Sequence, residues 1–217
     1  MITVTNEKSN SIGVRSGTAR HPGGKATAKR IISAAREVLT EQGQSNFSMR
    51  NVAELAGLHL ANVQYYFPKR DDLARALLID TGERYRALYD DALELAPADP
   101  VERFKCVVRV NLDDIMNRQT RQFFIQFWSL LDGMDRHSGR LLGELYAIDI
   151  QQLSDTIGAM HPRTGAEEIE RRATLLAAMI EGLMVVRGAG TRRTPKIRKL
   201  LDQAYKIALA IANGDIR

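Results

Sequence analysis

The chain has 217 residues, 44% of them hydrophobic and 26% charged, with a single cysteine. No apolar run reaches membrane-spanning length and one cysteine excludes an internal disulfide, so the expectation is a soluble globular protein of a reducing cytoplasm, with no membrane partner. The net charge of +5 is concentrated: residues 1–70 carry ten Lys/Arg against four Glu, and the remainder is nearly balanced at −1. That asymmetry suits a polyanion-binding segment joined to a neutral body, and equally a plain basic tail.

Residues 1–24 are rich in Ser, Thr, Gly and Asn and lack an apolar core segment, so a flexible basic tail is expected there rather than a secretory signal. From 26 to 42, Ile31, Ala35, Val38 and Leu39 recur at helical spacing, and Gly43 follows as a stop. Ser48 is suited to cap a second helix whose apolar face is Met49, Val52, Ala53 and Ala56. Asn51 stands where a full capping box would have Glu or Gln, so only half of that box is available. Gly57 ends this helix, a third short one covers 60–67, and Pro68 forces a break before Asp71 and Asp72 open a long fourth. Further helices are expected over 71–96, 101–117, 120–131, 138–160, 166–186 and 194–213. The fold class is all-α with about nine helices and no internal repeat.

Two short helices held across a tight turn at 48–67 fit either an ordinary helical hairpin or a helix-turn-helix. On a wheel of 60–67, Val63, Phe67 and Tyr66 face inward. Ala61, Gln64 and Tyr65 face outward, with Leu60 and Asn62 at the margins. Gln pairs bidentately with adenine, Asn contacts bases or phosphate, and Ala or Leu meets a thymine methyl. Ser48, Arg50, Tyr65, Lys69 and Arg70 have the chemistry of phosphate contacts.

The stretch "AAREVLTEQGQSNFSMRNVAELAGLHLANVQYYFPKRDDLARALL" resembles the N-terminal DNA-binding domain of the TetR family of bacterial transcriptional regulators. The likeness lies in the first-helix pattern, in "S-x-x-x-V-A-x-x-A-G-L", in "V-x-Y-Y-F-P" and in "K-R-D-D-L". It implies a helix-turn-helix at 48–67 with 60–67 as recognition helix, within a DNA-binding domain over 25–80. A regulatory domain over 81–217, for effector binding and dimerisation, would follow the 1–24 tail. The implied function is a homodimeric repressor on a near-palindromic duplex DNA operator, released by a small-molecule effector. Regulators without an effector, and an all-α partner-binding scaffold, stand as alternatives. The chain departs from the family pattern at His59, where a Ser, Thr or Asn cap is usual, at Tyr66, a common histidine, and at Arg70, a common lysine. The implied DNA-binding set is therefore Ser48, Arg50, His59, Leu60, Ala61, Asn62, Gln64, Tyr65, Lys69 and Arg70.

Farther along, Ile169, Ala173, Leu176, Ile180 and Leu183 are spaced 4, 3, 4, 3, and Ile197, Leu201, Ala204, Ala208 and Ile211 repeat the pattern. Such seams either pair with a second copy in a four-helix bundle or face the chain's own core. Phe123, Phe124, Phe127, Trp128 and Leu131 form an aromatic face which, with Tyr146, either lines an effector pocket or fills a core. Asp149 falls among apolar positions of its helix, and a buried carboxylate needs either a structural Arg or a cationic ligand. The candidate effector set is Phe124, Phe127, Trp128, Tyr146 and Asp149.

Nothing points to catalysis. His21, His59, His137 and His161 are scattered without metal-ligand spacing, no phosphate loop or nucleophile elbow occurs, and Cys106 sits in an apolar context. No cofactor, metal or catalytic residue is expected.

Overall fold

The computed structural model describes residues 22–134, 140–187 and 194–215. Residues 1–21 of the expected tail, with His21, and His137 fall outside them, whereas Pro22–Gly24, expected in the tail, open the first helix. Among the described residues there are nine α-helices and no strand. They are α1 (Pro22–Glu37), α2 (Met49–Leu55), α3 (Leu60–Tyr66), α4 (Arg70–Glu94), α5 (Pro100–Asp114), α6 (Arg118–Met134), α7 (Arg140–Met160), α8 (Ala166–Arg187) and α9 (Pro195–Asn213). None is long and apolar enough to cross a membrane.

The first helix differs from its expected span of 26–42. It starts earlier, and its last turn, Val38–Gln42, widens into a π-helical turn. The widening lets Val38 and Leu39 both reach the core before Gly43 turns the chain at φ 82°, ψ 170°, a region nearly closed to other residues. Glycine also leaves room for Gln126 of α6, whose Oε1 accepts the Gln44 amide at 2.8 Å. A short 3-10 turn, Gln44–Asn46, then leads to Ser48, whose Oγ accepts the Asn51 amide at 3.2 Å. Asn51 turns its own side chain back to the Asn46 carbonyl (2.8 Å), so the half-made cap is what the structure contains.

After α2 the chain reverses at Gly57 (φ 59°), with the Leu58 amide donating to the Ala53 carbonyl across the turn. A side chain here would also meet the Arg30 guanidinium. Val63 and Phe67 are fully buried in the common core and hold α3 against α2. The Asp72 carboxylate accepts the Lys69 amide at 2.9 Å and starts α4. That helix runs 25 residues, about 37 Å, straight through the expected boundary at residue 80. α4 packs on α1 at one end and on α5 and α7 at the other. α7 lies along α8, and α9 closes over α5 and α8.

α6 extends beyond 120–131 on both sides. In α9 the expected first residue, Thr194, is instead the cap, its hydroxyl accepting the Ile197 amide at 3.3 Å with Pro195 leading the helix.

Six of the ten residues assigned to dimerisation require correction. Ala173, Leu176, Ile180, Ile197, Ala204 and Ala208 are buried within the single chain, and Ile169, Leu183, Leu201 and Ile211 are half-buried against the same core. For the six buried residues the repeat reports how α8 and α9 pack on their own body, because a residue enclosed by its own chain has no surface left for a partner; the four half-buried ones keep part of theirs. The outward faces are others. Leu175 (58% exposed), Ala178, Gly182 and Val186 (88%) line α8, and Gln203, Ile207 and Ala210 line α9.

Candidate nucleic-acid interface and buried acidic cavity

The outward side of α3 carries Ala61, Asn62, Gln64 and Tyr65, all exposed. Tyr65 stands edge-on to Tyr66 at 5.5 Å, and Tyr66 is itself half-buried, so Tyr65 is braced while its hydroxyl faces solvent. Leu60 is half-buried at the margin. His59 precedes the helix in extended conformation and makes no side-chain cap. Ser48 is half-buried and committed to its cap, whereas Arg50 and Lys69 are exposed on the flanks. Arg70 is different: its Nε donates to the Phe47 carbonyl at 2.9 Å, with the guanidinium over the Phe47 ring. It ties α4 to the turn before α2.

The turn preceding α2 is held from α1, α4 and α6. Arg36 Nη2 meets Asp80 at 3.2 Å and the Thr81 hydroxyl at 2.7 Å, and its guanidinium lies 4.1 Å from the Phe123 ring centre. With Gln126 on Gln44, α6 therefore grips both sides of the widened turn.

In the body a cavity of about 30 Å³ lies between α4, α5, α6, α7 and α8. It has room for about one water molecule. Its walls include Tyr85, Tyr89, Asp114, Tyr146, Asp149 and Glu181, and no Lys, Arg or His is among its described lining residues. Gly82 also lines it, and a Cβ there would collide with Ile148 Cδ1.

The Asp149 carboxylate meets Tyr89 Oη at 2.5 Å, and the same hydroxyl lies 2.8 Å from Asn111 Oδ1. One phenolic proton cannot serve two acceptors, and the Asn111 amide already donates to the Val107 carbonyl. When Tyr89 donates to Asn111, Asp149 must bring its own proton to Tyr89. Burial raises the Asp149 pKa, in accord with that arrangement, although its hydrogen-bond partners act in the opposite sense. Glu181 is pushed up to about 7, first by burial and then by the nearby Asp149 charge, and its Oε2 is buried with no hydrogen-bond partner. Burial likewise raises the Tyr146 pKa. Asp114 accepts from Tyr85 Oη at 2.5 Å and from Thr120 Oγ1 at 3.0 Å. The result is three carboxyl groups facing hydroxyls and amides, an enclosure poised to take one positive charge.

Of the expected effector residues, Phe124, Tyr146 and Asp149 meet here. Phe127 does not: it is fully buried one helical face away, 4.9 Å from Phe123. Trp128 touches Phe124 (6.2 Å between rings) but does not line the cavity, and its buried Nε1 has no hydrogen-bond partner. Sequence reasoning passed over Tyr85, Tyr89, Asn111, Asp114 and Glu181. The signal was present: Thr81, Tyr85 and Tyr89 recur every four residues beside Leu77 and Leu78, and Glu181 interrupts the apolar run "AAMIEGLMV".

An all-helical body carrying a pinned α2–turn–α3 unit with a polar outer face defines a helix-turn-helix transcription regulator. Residues 31–77 match the family model of the bacterial regulatory proteins, tetR family. The chain is 28% identical over 191 residues to the HTH-type transcriptional regulator BetI of Rhizobium meliloti, covering 86% of this chain and 91% of that one. A crystal structure assigned as a transcriptional regulator from Pseudomonas aeruginosa PAO1 superposes with a TM-score of 0.67 at 18% identity, over 92% of this chain and 94% of that one. The multidrug binding protein EbrR complexed with malachite green superposes at 0.62 and 18% identity, over 85% and 96%. Residues 31–77 thus match the DNA-binding domain of the tetR family, within a chain whose length resembles BetI and whose fold resembles these regulators.

Proposed function

We propose that this regulator is a homodimeric repressor whose operator is freed when a positively charged organic molecule occupies the cavity of α4–α8. The observation that carries the effector half is the acidic lining: Asp114, Asp149 and Glu181, whose Oε2 has no hydrogen-bond partner, without a basic side chain among the described lining residues. A structural Arg, the ordinary companion of a buried carboxylate, is not among them. The DNA half rests on α3, whose Gln64, Ala61 and Tyr65 face out with Arg50 and Lys69 on the flanks. Gln64 reads adenine, and the flanking groups meet phosphates.

One α3 offers four exposed residues, enough for a single half-site, so operator selectivity calls for a second copy. The surface suited to that copy is the outward stripe Leu175, Ala178, Gly182 and Val186 with Ile207. Val186→Glu with Leu175→Glu should halve the mass in solution, measured by light scattering, and abolish retention of operator DNA.

The direct test is a mobility shift with DNA flanking the gene, at moderate salt and against competitor DNA. Specific retention that organic cations reverse is the expected result. Loss of all specific retention would overturn the regulator's assignment as a repressor. Retention indifferent to cations would favour an effector-free regulator, the reading that a cavity of only 30 Å³ supports.

A further inference from the structure

We infer that the effector site has two compartments, the second being the open cleft of about 640 Å³ between α1, α4 and the start of α6. This rests on the cationic-effector reading and adds the route and the shape of the ligand. The cleft and the inner cavity share four wall residues: Tyr85, Asp114, Thr120 and Phe124. The partition between them is thus a single layer of side chains, held by Tyr85 Oη on Asp114 (2.5 Å) and Thr120 Oγ1 on Asp114 (3.0 Å).

Those two bonds join α4, α5 and α6, and opening them merges the voids. The inner compartment alone is too small for any organic ion, whereas the merged one holds a cationic group beside Asp149 and Glu181 with the rest of the molecule outside. The cleft floor is apolar, formed by Phe123, Phe124 and Leu88, beneath a polar rim that includes Arg36 and Gln119. The ligand class is therefore an elongated organic monocation with a compact charged end and an apolar tail. A tail lying on Phe123 also lies beneath Arg36, which stacks on that ring and ties α1 to Asp80.

The test is isothermal titration of the full chain with alkyltrimethylammonium ions, from tetramethyl to decyl, below their micelle concentrations. Affinity should climb about fourfold per added methylene until the cleft is filled. Leu88→Trp and Gln119→Trp, both at exposed cleft positions, should weaken the decyl ion by roughly fifteenfold, the loss of two such methylene contacts, and leave tetramethylammonium unchanged. Circular dichroism melting of each variant confirms folding. Binding that is independent of chain length, or equally reduced for both ions in both variants, overturns the two-compartment site and leaves the cation reading standing. Absence of binding by every ion overturns both.

Discussion

The two functional regions invert one another. Around α3 the apolar groups Val63 and Phe67 lie inside and the polar groups Gln64 and Tyr65 lie outside. In the body Tyr89, Asn111, Asp149 and Glu181 lie inside, while Leu175 and Val186 lie outside. The first arrangement obeys ordinary partitioning, so it costs nothing to keep and its specificity resides in what the exposed face meets. The second violates partitioning twice, and each violation leaves an unmet demand: a charge in the cavity, an apolar surface on α8.

Four experiments separate the regions. The largest effect should come from removing an α3 anchor: Phe67→Ala opens a cavity under the fully buried ring and should cost ~3–5 kcal/mol in denaturant unfolding. A loss below ~1 kcal/mol would show that α3 is pinned by something else. Next, Gln64→Ala or Tyr65→Ala, on exposed positions, should weaken specific DNA binding by ~1–3 kcal/mol with melting and non-specific binding unchanged. If the ratio of specific to non-specific affinity stays constant, the outward face is not the reading face.

In the cavity the opposite behaviour is expected, because the polar residue there is a liability to the empty fold. The Glu181 pKa is raised from 4.5 to about 7. The folded chain therefore holds a proton that the unfolded chain releases, and stability falls as pH rises from 4.5 to about 7. Glu181→Gln should remove that slope, gaining on the order of 3 kcal/mol at pH 8 and nothing near pH 4, as read from melting curves. The same variant should lose the rise of cation affinity with pH through 7. Identical pH profiles for variant and parent would place the titration elsewhere. The smallest effect belongs to the uncapped start of α3: His59→Asn supplies the missing acceptor and should stabilise by ~0.5–1 kcal/mol. A loss of operator affinity in that variant would give His59 a contact of its own.

Legibility followed the same divide. The head could be read because each element there is punctuated locally, by Ser48, Gly57 and Pro68, and because its inside and outside obey the wheel. Even the weak cap at His59 and the half-made box at Asn51 were visible. What escaped was non-local. The bond from Gln44, just past the π-helical turn at Val38–Gln42, to Gln126 spans 82 residues. The α8 and α9 seams were legible as seams, but periodicity states only that a face is buried, not by which copy of the chain. In the body Asp149 stood out as a lone acid among apolar neighbours, yet Glu181 in the same situation was missed. Tyr85 and Tyr89 were passed over because tyrosine is unremarkable on an amphipathic helix until its hydroxyl is seen facing inward.

Gly82 and Ile148 give the cavity a different kind of significance. The wall between α4 and α7 is set by one residue without a side chain and one branched side chain that fills the gap. Each lies a single base change from a neighbour of different bulk, glycine to alanine and isoleucine to valine, and neither belongs to the surface of α3. Exchanging a methyl group across this one helix pair would therefore reshape the cavity wall while leaving the outward face of α3 unchanged.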